Sequence, residues 1–259
     1  MRHVFPPGPL VGFLGALGLL TALHPAASGW VIGLACGAGL AALLSIGLAR
    51  ASRRHLLPAD RVTLARAVLC CGVAALVGER LADASGPWEG TGVLVALTSV
   101  ALVLDAVDGL VARRTGTSHP LGARFDMETD AFLILVLAVH AARDLGWWVL
   151  ATGAARYLLL LVALAGRWAP WLRGQVPARR WRKLVAAYQG VALTIAAARF
   201  LPPPLPAALV AVGLALLAVS FLTEVRTLRR LFGPGTPGRD LVAACPDLPS
   251  AALDAGLSP

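Results

Sequence analysis

The chain has 259 residues, of which 58% are hydrophobic and only 14% charged, and its formal net charge is +9. With a mean hydropathy of +0.74 it carries more apolar surface than a water-soluble domain of this length can bury, so a soluble fold is excluded and an all-α integral membrane protein is expected. Its four cysteines decide little: Cys36, Cys70 and Cys71 fall in apolar runs and Cys245 near the C-terminus, with neither a disulfide framework nor metal-type spacing.

Apolar runs near the roughly 20 residues needed to cross about 30 Å of hydrocarbon predict eight spans, at 9–26, 29–49, 62–78, 92–112, 127–142, 147–166, 184–200 and 205–223. The first follows Met1-Arg2-His3 and precedes "AAS" at 26–28, features that a cleaved leader shares. The proline-rich start and the second span close behind fit a retained hairpin better. "SRRHLLPAD", at 52–60, predicts a short interfacial helix ahead of the third span. Residues 233–259, rich in Pro, Gly and Ala, predict a disordered tail.

Positive charge falls on alternate loops. Arg50, Arg53, Arg54 and Arg61 follow the second span, and Arg113, Arg114 and Arg124 the fourth. Arg167, Arg173, Arg179, Arg180, Arg182 and Lys183 follow the sixth, and Arg226, Arg229 and Arg230 the eighth. The loops between carry few or balanced charges, so both termini and the 113–124 loop are expected on the cytoplasmic side. Short basic interhelical loops suit topology and anionic headgroups. They do not form the basic domain that nucleic-acid binding requires.

Against this apolar background the stretch "VLDAVDGLVARRTGTSHPLGARFDMETDAF", residues 103–132, is an anomaly. On one helix Asp105 and Asp108 are i, i+3, and Gly109 and Ala112 continue the same face. That face is acidic and then bare, open to a ligand, with Arg113 offering a forked donor matched to phosphate oxygens. At 1.5 Å per residue Asp105 lies about 12 Å from Arg113 along the axis, below the headgroups. The next helix places Gly122, Asp126 and Asp130 at i, i+4, i+8. Antiparallel packing would bring both aspartate pairs into one pocket, while Glu128 points elsewhere.

Four carboxylates in a low-dielectric site repel one another, and unpaired charge there costs several kcal/mol per group. Hard oxygen ligands without His or Cys suit Mg²⁺, Mn²⁺ or Ca²⁺, and four of them suit two ions about 3.5–4 Å apart holding a pyrophosphate. The competing account is ion pairing with Arg113, Arg114 and Arg124, which requires neither the spacing nor the glycines.

The order D-x-x-D-G-x-x-A-R, eight residues, G-x-x-x-D-x-x-x-D stands here as Asp105, Asp108, Gly109, Ala112, Arg113, Gly122, Asp126 and Asp130. It resembles the signature of the CDP-alcohol phosphotransferases at every defined position. Upstream, "LPADRVTLAR" with Pro58, Thr63 and Arg66 looks like the family's P-N-x-L-T-x-x-R segment, with Asp60 in place of the usual Asn. The resemblance covers residues 56 to about 230. It implies a six-helix transmembrane catalytic core at 51–232, two additional N-terminal helices at 1–50 and a tail at 233–259.

What the resemblance implies for chemistry is transfer of a substituted phosphoryl group from a CDP-linked lipid, CDP-diacylglycerol by analogy, to an alcohol acceptor with release of CMP, in phospholipid biosynthesis. Two Mg²⁺ ions would be held by Asp105, Asp108, Asp126 and Asp130, with Asp130 also the general base. Arg113 would contact the diphosphate, Asp105 lies at the same place, and Gly109, Ala112 and Gly122 would admit the nucleotide. A homodimer in a bacterial-type inner membrane is the expected setting.

The acceptor side is thinner. Arg156 lies within the sixth span, where a cation is costly unless it faces a cavity. Tyr157 follows it where related phosphatidylglycerophosphate synthases carry Glu. Lys183, the chain's only lysine, keeps with Gln189 a spacing seen in those synthases. Arg156 and Lys183, with Arg180 or Arg182, would suit an anionic acceptor; a snorkelling cation is the alternative for Lys183. Two other functional classes remain: an intramembrane prenyltransferase, of whose paired aspartate motifs only D-x-x-x-D is present, and a divalent-cation transporter, which needs carboxylates at mid-depth.

Overall fold

Three helices begin at a proline, whose fixed φ suits a first turn and whose missing N–H costs nothing there. The computed structural model describes residues 7–51, 56–83, 88–115, 120–155, 157, 180–202 and 204–232. Regular structure in these residues is entirely helical. The helices are α1 (Pro7–Leu23), α2 (Ala27–Arg50), α3 (Pro58–Ala82), α4 (Thr91–Thr115), α5 (Pro120–Leu145), α6 (Arg180–Ala198) and α7 (Leu205–Phe232), with a 3-10 turn at Trp147–Val149 between α5 and α6. Residues 150–155 are helical, the described part of the sixth expected span. The tail at 233–259 lies outside the described residues.

By length and apolarity α2, α3, α4 and α7 each suffice to cross a membrane, and α1 and α6 contribute shorter apolar segments. α5 has 26 residues and carries its charges toward its two ends. The all-helical membrane architecture is therefore as expected, while helix limits shift by several residues, most at the start of α5 and the end of α7. Pro58, Ala59 and Asp60 form the first turn of α3 itself, and Leu56 and Leu57 are non-helical. The separate interfacial helix expected at 52–60 does not extend over 56–60, and residues 52–55 lie outside the described residues. Asp60 accounts for this start, because its Oδ2 accepts the Leu57 N–H at 3.1 Å and its charge suits the positive end of the helix. α5 likewise begins at Pro120 instead of 127, since backbone hydrogen bonding continues past the hydrocarbon boundary that a hydropathy run detects.

α3 is the central post. Of its apolar window 72% is buried, against 28% for α2 and 22% for α4 and α7. One face packs Leu64, Ala67 and Cys71 against Ala16 of α1 and Leu40 and Leu44 of α2. Another packs Cys70, Val73 and Val77 with Leu94 and Ala101 of α4, Leu133 and Leu137 of α5 and Leu193 of α6.

The first two helices reach α3 through small residues. Gly29, Gly33 and Gly37 lie on the buried stripe of α2. A β-carbon on Gly29 would sit 2.9 Å from the Ala75 carbonyl oxygen of α3. Without a hydrophobic drive between helices in lipid, such close backbone approach is what gives an interface its van der Waals energy.

Four undescribed residues join α4 to α5, so the two helices run antiparallel. The C-terminal end of α4 and the N-terminal ends of α3 and α5 meet at one end of the bundle. The opposite end holds Asp144 and Arg199, paired at 2.6 Å.

Candidate functional site: a four-carboxylate cluster

At that first end, α4 presents Asp105 and Asp108 and α5 presents Asp126 and Asp130 toward one another. One carboxylate oxygen from each of Asp105, Asp108 and Asp126 lies within 4.8 Å of the others. The two stripes expected from spacing therefore do converge. Glu128 is exposed, off the stripe as its position requires.

The cation among these carboxylates comes from α3. Arg66 Nη1 is paired with Asp105 Oδ1 and with Asp108 Oδ2, the latter at 3.1 Å. Nη2 is paired with Asp126 Oδ1 and with Asp130 Oδ1, the latter at 3.1 Å. It also donates to the Asp126 carbonyl oxygen at 3.2 Å. One guanidinium thus spans two helices, one arm to each. Thr63, one turn earlier on α3, donates from Oγ1 to Asp108 Oδ2 at 3.1 Å. A planar fork suits such bridging because its donors are fixed relative to one another.

In the sequence Arg66 and Thr63 stand only as part of the resemblance, and the competing ion-pair account rests on Arg113, Arg114 and Arg124 instead. The signal for Arg66 was present: a lone arginine inside the apolar run 62–78 must meet anions.

Asp60 is the second residue whose place was not foreseen. It is buried, 8% exposed, and its Oδ1 lies where a β-carbon on Gly122 would project. Gly122 thus admits the α3 carboxylate against the α5 backbone.

The remaining candidates are described less fully. Gly109 is half-buried on α4 and follows Asp108 toward the open end. Ala112 and Arg113 lie on the last turns of α4, but their side chains are outside the described residues, as is Arg156 entirely. Lys183 is exposed in the first turn of α6. Gln189, two turns on, is buried.

The donor set fits a hard divalent cation. Oxygens sharing one ion at bonds of about 2.0–2.6 Å lie at most about 4–5 Å apart, the separation found for Asp105, Asp108 and Asp126. Carboxylates alone, with no thiolate or imidazole, select Mg²⁺, Mn²⁺ or Ca²⁺ over softer metals.

A family model described as CDP-alcohol phosphatidyltransferase matches residues 55–223, which includes every residue of the cluster and begins just ahead of α3. No curated protein and no solved structure matches the chain.

Proposed function

We infer the reaction from one premise: this chain belongs to the CDP-alcohol phosphatidyltransferase family, a family of transferases. The reaction is transfer of a phosphatidyl group from a CDP-linked lipid, CDP-diacylglycerol, to an alcohol in phospholipid biosynthesis. The observation that carries this reading is the meeting of Asp105, Asp108 and Asp126 from two helices within one ion's reach.

Asp105, Asp108, Asp126 and Asp130 would hold two Mg²⁺ ions. When bound, such ions neutralise the diphosphate and stabilise charge in an in-line displacement. The chain's own groups do the rest. Arg113, at the headgroup end of α4, takes diphosphate oxygens in its fork, and Gly109 and Ala112 leave the helix face bare for the nucleotide. Asp130 accepts the proton of the acceptor hydroxyl. The acceptor oxygen then bonds to the β-phosphorus, the bond from that phosphorus to the oxygen of CMP breaks, and CMP leaves with the electron pair.

Residues 51–232 form the catalytic unit in this reading, α1 and α2 are an added pair, and 233–259 is a tail. The basic loops favour the cytoplasmic side of a bacterial-type inner membrane for the cluster and both termini, and the enzyme acts as a homodimer. The charges of Arg156 and Lys183 would suit an anionic alcohol as acceptor.

Purified protein in detergent, given labelled CDP-diacylglycerol and Mg²⁺, tests the reading. Acceptors to offer are glycerol 3-phosphate, inositol, inositol phosphate, serine and phosphatidylglycerol. CMP release with one of them is expected. Pyrophosphate release from a prenyl donor instead would make the protein a prenyltransferase. Neither product, with divalent-cation flux in vesicles, would make it a transporter.

A further inference from the structure

The side chain of Arg66 is 1% exposed, whereas the carboxylates it pairs with are open in graded fashion: Asp108 6%, Asp126 23%, Asp130 34% and Asp105 36%. The guanidinium therefore lies on the inner side of the cluster, with the carboxylates between it and the open end of the bundle. Its closest approach to each carboxylate is to Oδ1 of Asp105, Asp126 and Asp130 and to Oδ2 of Asp108. Its Nε is buried with no hydrogen-bond partner among the described residues, while its two terminal nitrogens serve this bridge, Nη2 donating also to the Asp126 carbonyl oxygen.

We propose that Arg66 is the positioning residue of the divalent-cation site. From the buried side it clamps α4 to α5 and fixes the rotation of four carboxylates, so that their oxygens are set before any ion arrives. The inference rests on the reading of the cluster as a metal site. Outer partners that orient ligands in this way are worth about 10–100-fold in metal affinity. A cation standing where the metal belongs would do the opposite: it would compete, and its removal would tighten binding. The burial of Arg66 behind the carboxylates argues for the clamp.

Mn²⁺ titration of the full-length protein in detergent, followed by electron paramagnetic resonance without lipid substrate, reads the affinity directly. Arg66→Gln is expected to weaken Mn²⁺ binding by about 10–100-fold, at a temperature where circular dichroism shows the protein folded. Arg66→Lys keeps the charge but not the two-armed reach, and is expected to weaken it by about tenfold. It decides alone if the glutamine variant does not fold. Wild-type affinity in the folded variants would reduce Arg66 to a structural charge, and tighter binding would make it a competitor; either overturns the inference while leaving the metal site standing. Absence of Mn²⁺ binding to the wild type would remove the metal reading itself.

Discussion

A β-carbon on residue 122 would collide with Oδ1 of Asp60, so the bare backbone of α5 and the capping carboxylate of α3 share one space. Gly122→Ala must push α5 off α3 or pull Asp60 from the Leu57 N–H. Overpacking of this kind costs about 1–3 kcal/mol, and loss of a cap about 0.5–2 kcal/mol. Thermal unfolding should show Gly122→Ala destabilised in that range. Adding Asp60→Ala to it should cost less than the sum of the two single changes, because the collision is relieved. Strict additivity would mean that the two residues do not meet.

Asp105→Asn, Asp108→Asn and Asp126→Asn keep side-chain shape and remove charge. Each should lower CMP release by at least about 100-fold, the scale on which lost stabilisation of transition-state charge is felt, while the protein still inserts and elutes as the wild type does. Retained activity in any two of the three removes the metal assignment.

Asp130→Asn should separate binding from turnover. Donor affinity is expected to stay within about tenfold of wild type, the lower end for a perturbed ligand set. CMP release should fall by about 10²–10⁴-fold, the usual contribution of a general base. Equal loss of both would make Asp130 a ligand and nothing more.

Chelation with EDTA should abolish CMP release, and Mg²⁺ should restore it. The same ion should raise the thermal midpoint, because a ligand at about 100 times its Kd stabilises the folded state by about 2.7 kcal/mol. For a chain of this size that is on the order of 5–10 °C. An unchanged midpoint across a Mg²⁺ titration would count against a resident divalent site.

At the far end of the bundle, His140 is 2% exposed and neither ring nitrogen has a partner among the described residues. Its ring is tilted against Trp88 with centroids 5.6 Å apart. A buried polar group left unpaired costs about 1–3 kcal/mol, more than a tilted aromatic pair adds at about 0.5–1.5 kcal/mol. His140→Leu should therefore raise the thermal midpoint by a few degrees and leave CMP release intact. A lower midpoint would show that the ring is held by something other than packing.

The aspartates were legible because helical periodicity is a one-dimensional property: i, i+3 and i, i+4 spacings set Asp105, Asp108, Asp126 and Asp130 on faces before any packing is known. The helical character of the chain was equally plain from its apolar runs. Helix limits were less so, since Pro120 and Asp60 start helices in segments whose hydropathy has already fallen. Arg66 stood in the sequence as an isolated charge whose partners lie 39 to 64 positions downstream. The depth at which α3 passes α4 and α5, which decides that Arg66 meets the cluster, is set by three-dimensional packing. The approach of Asp60 to Gly122 is of the same kind, a matter of how two helices are shifted along one another.

The sharing of one guanidinium between neighbouring helices also bears on how the polypeptide enters the bilayer. α3 and α4 are consecutive, and as a hairpin they already bring Arg66 to Asp105 and Asp108, so one cation and two anions need not enter the hydrocarbon unpaired. When α5 follows, Asp126 and Asp130 arrive at a waiting positive charge. On the proposed reading, insertion and ion binding draw on the same arginine, and a chain lacking it would meet its first difficulty during synthesis, before any substrate is encountered.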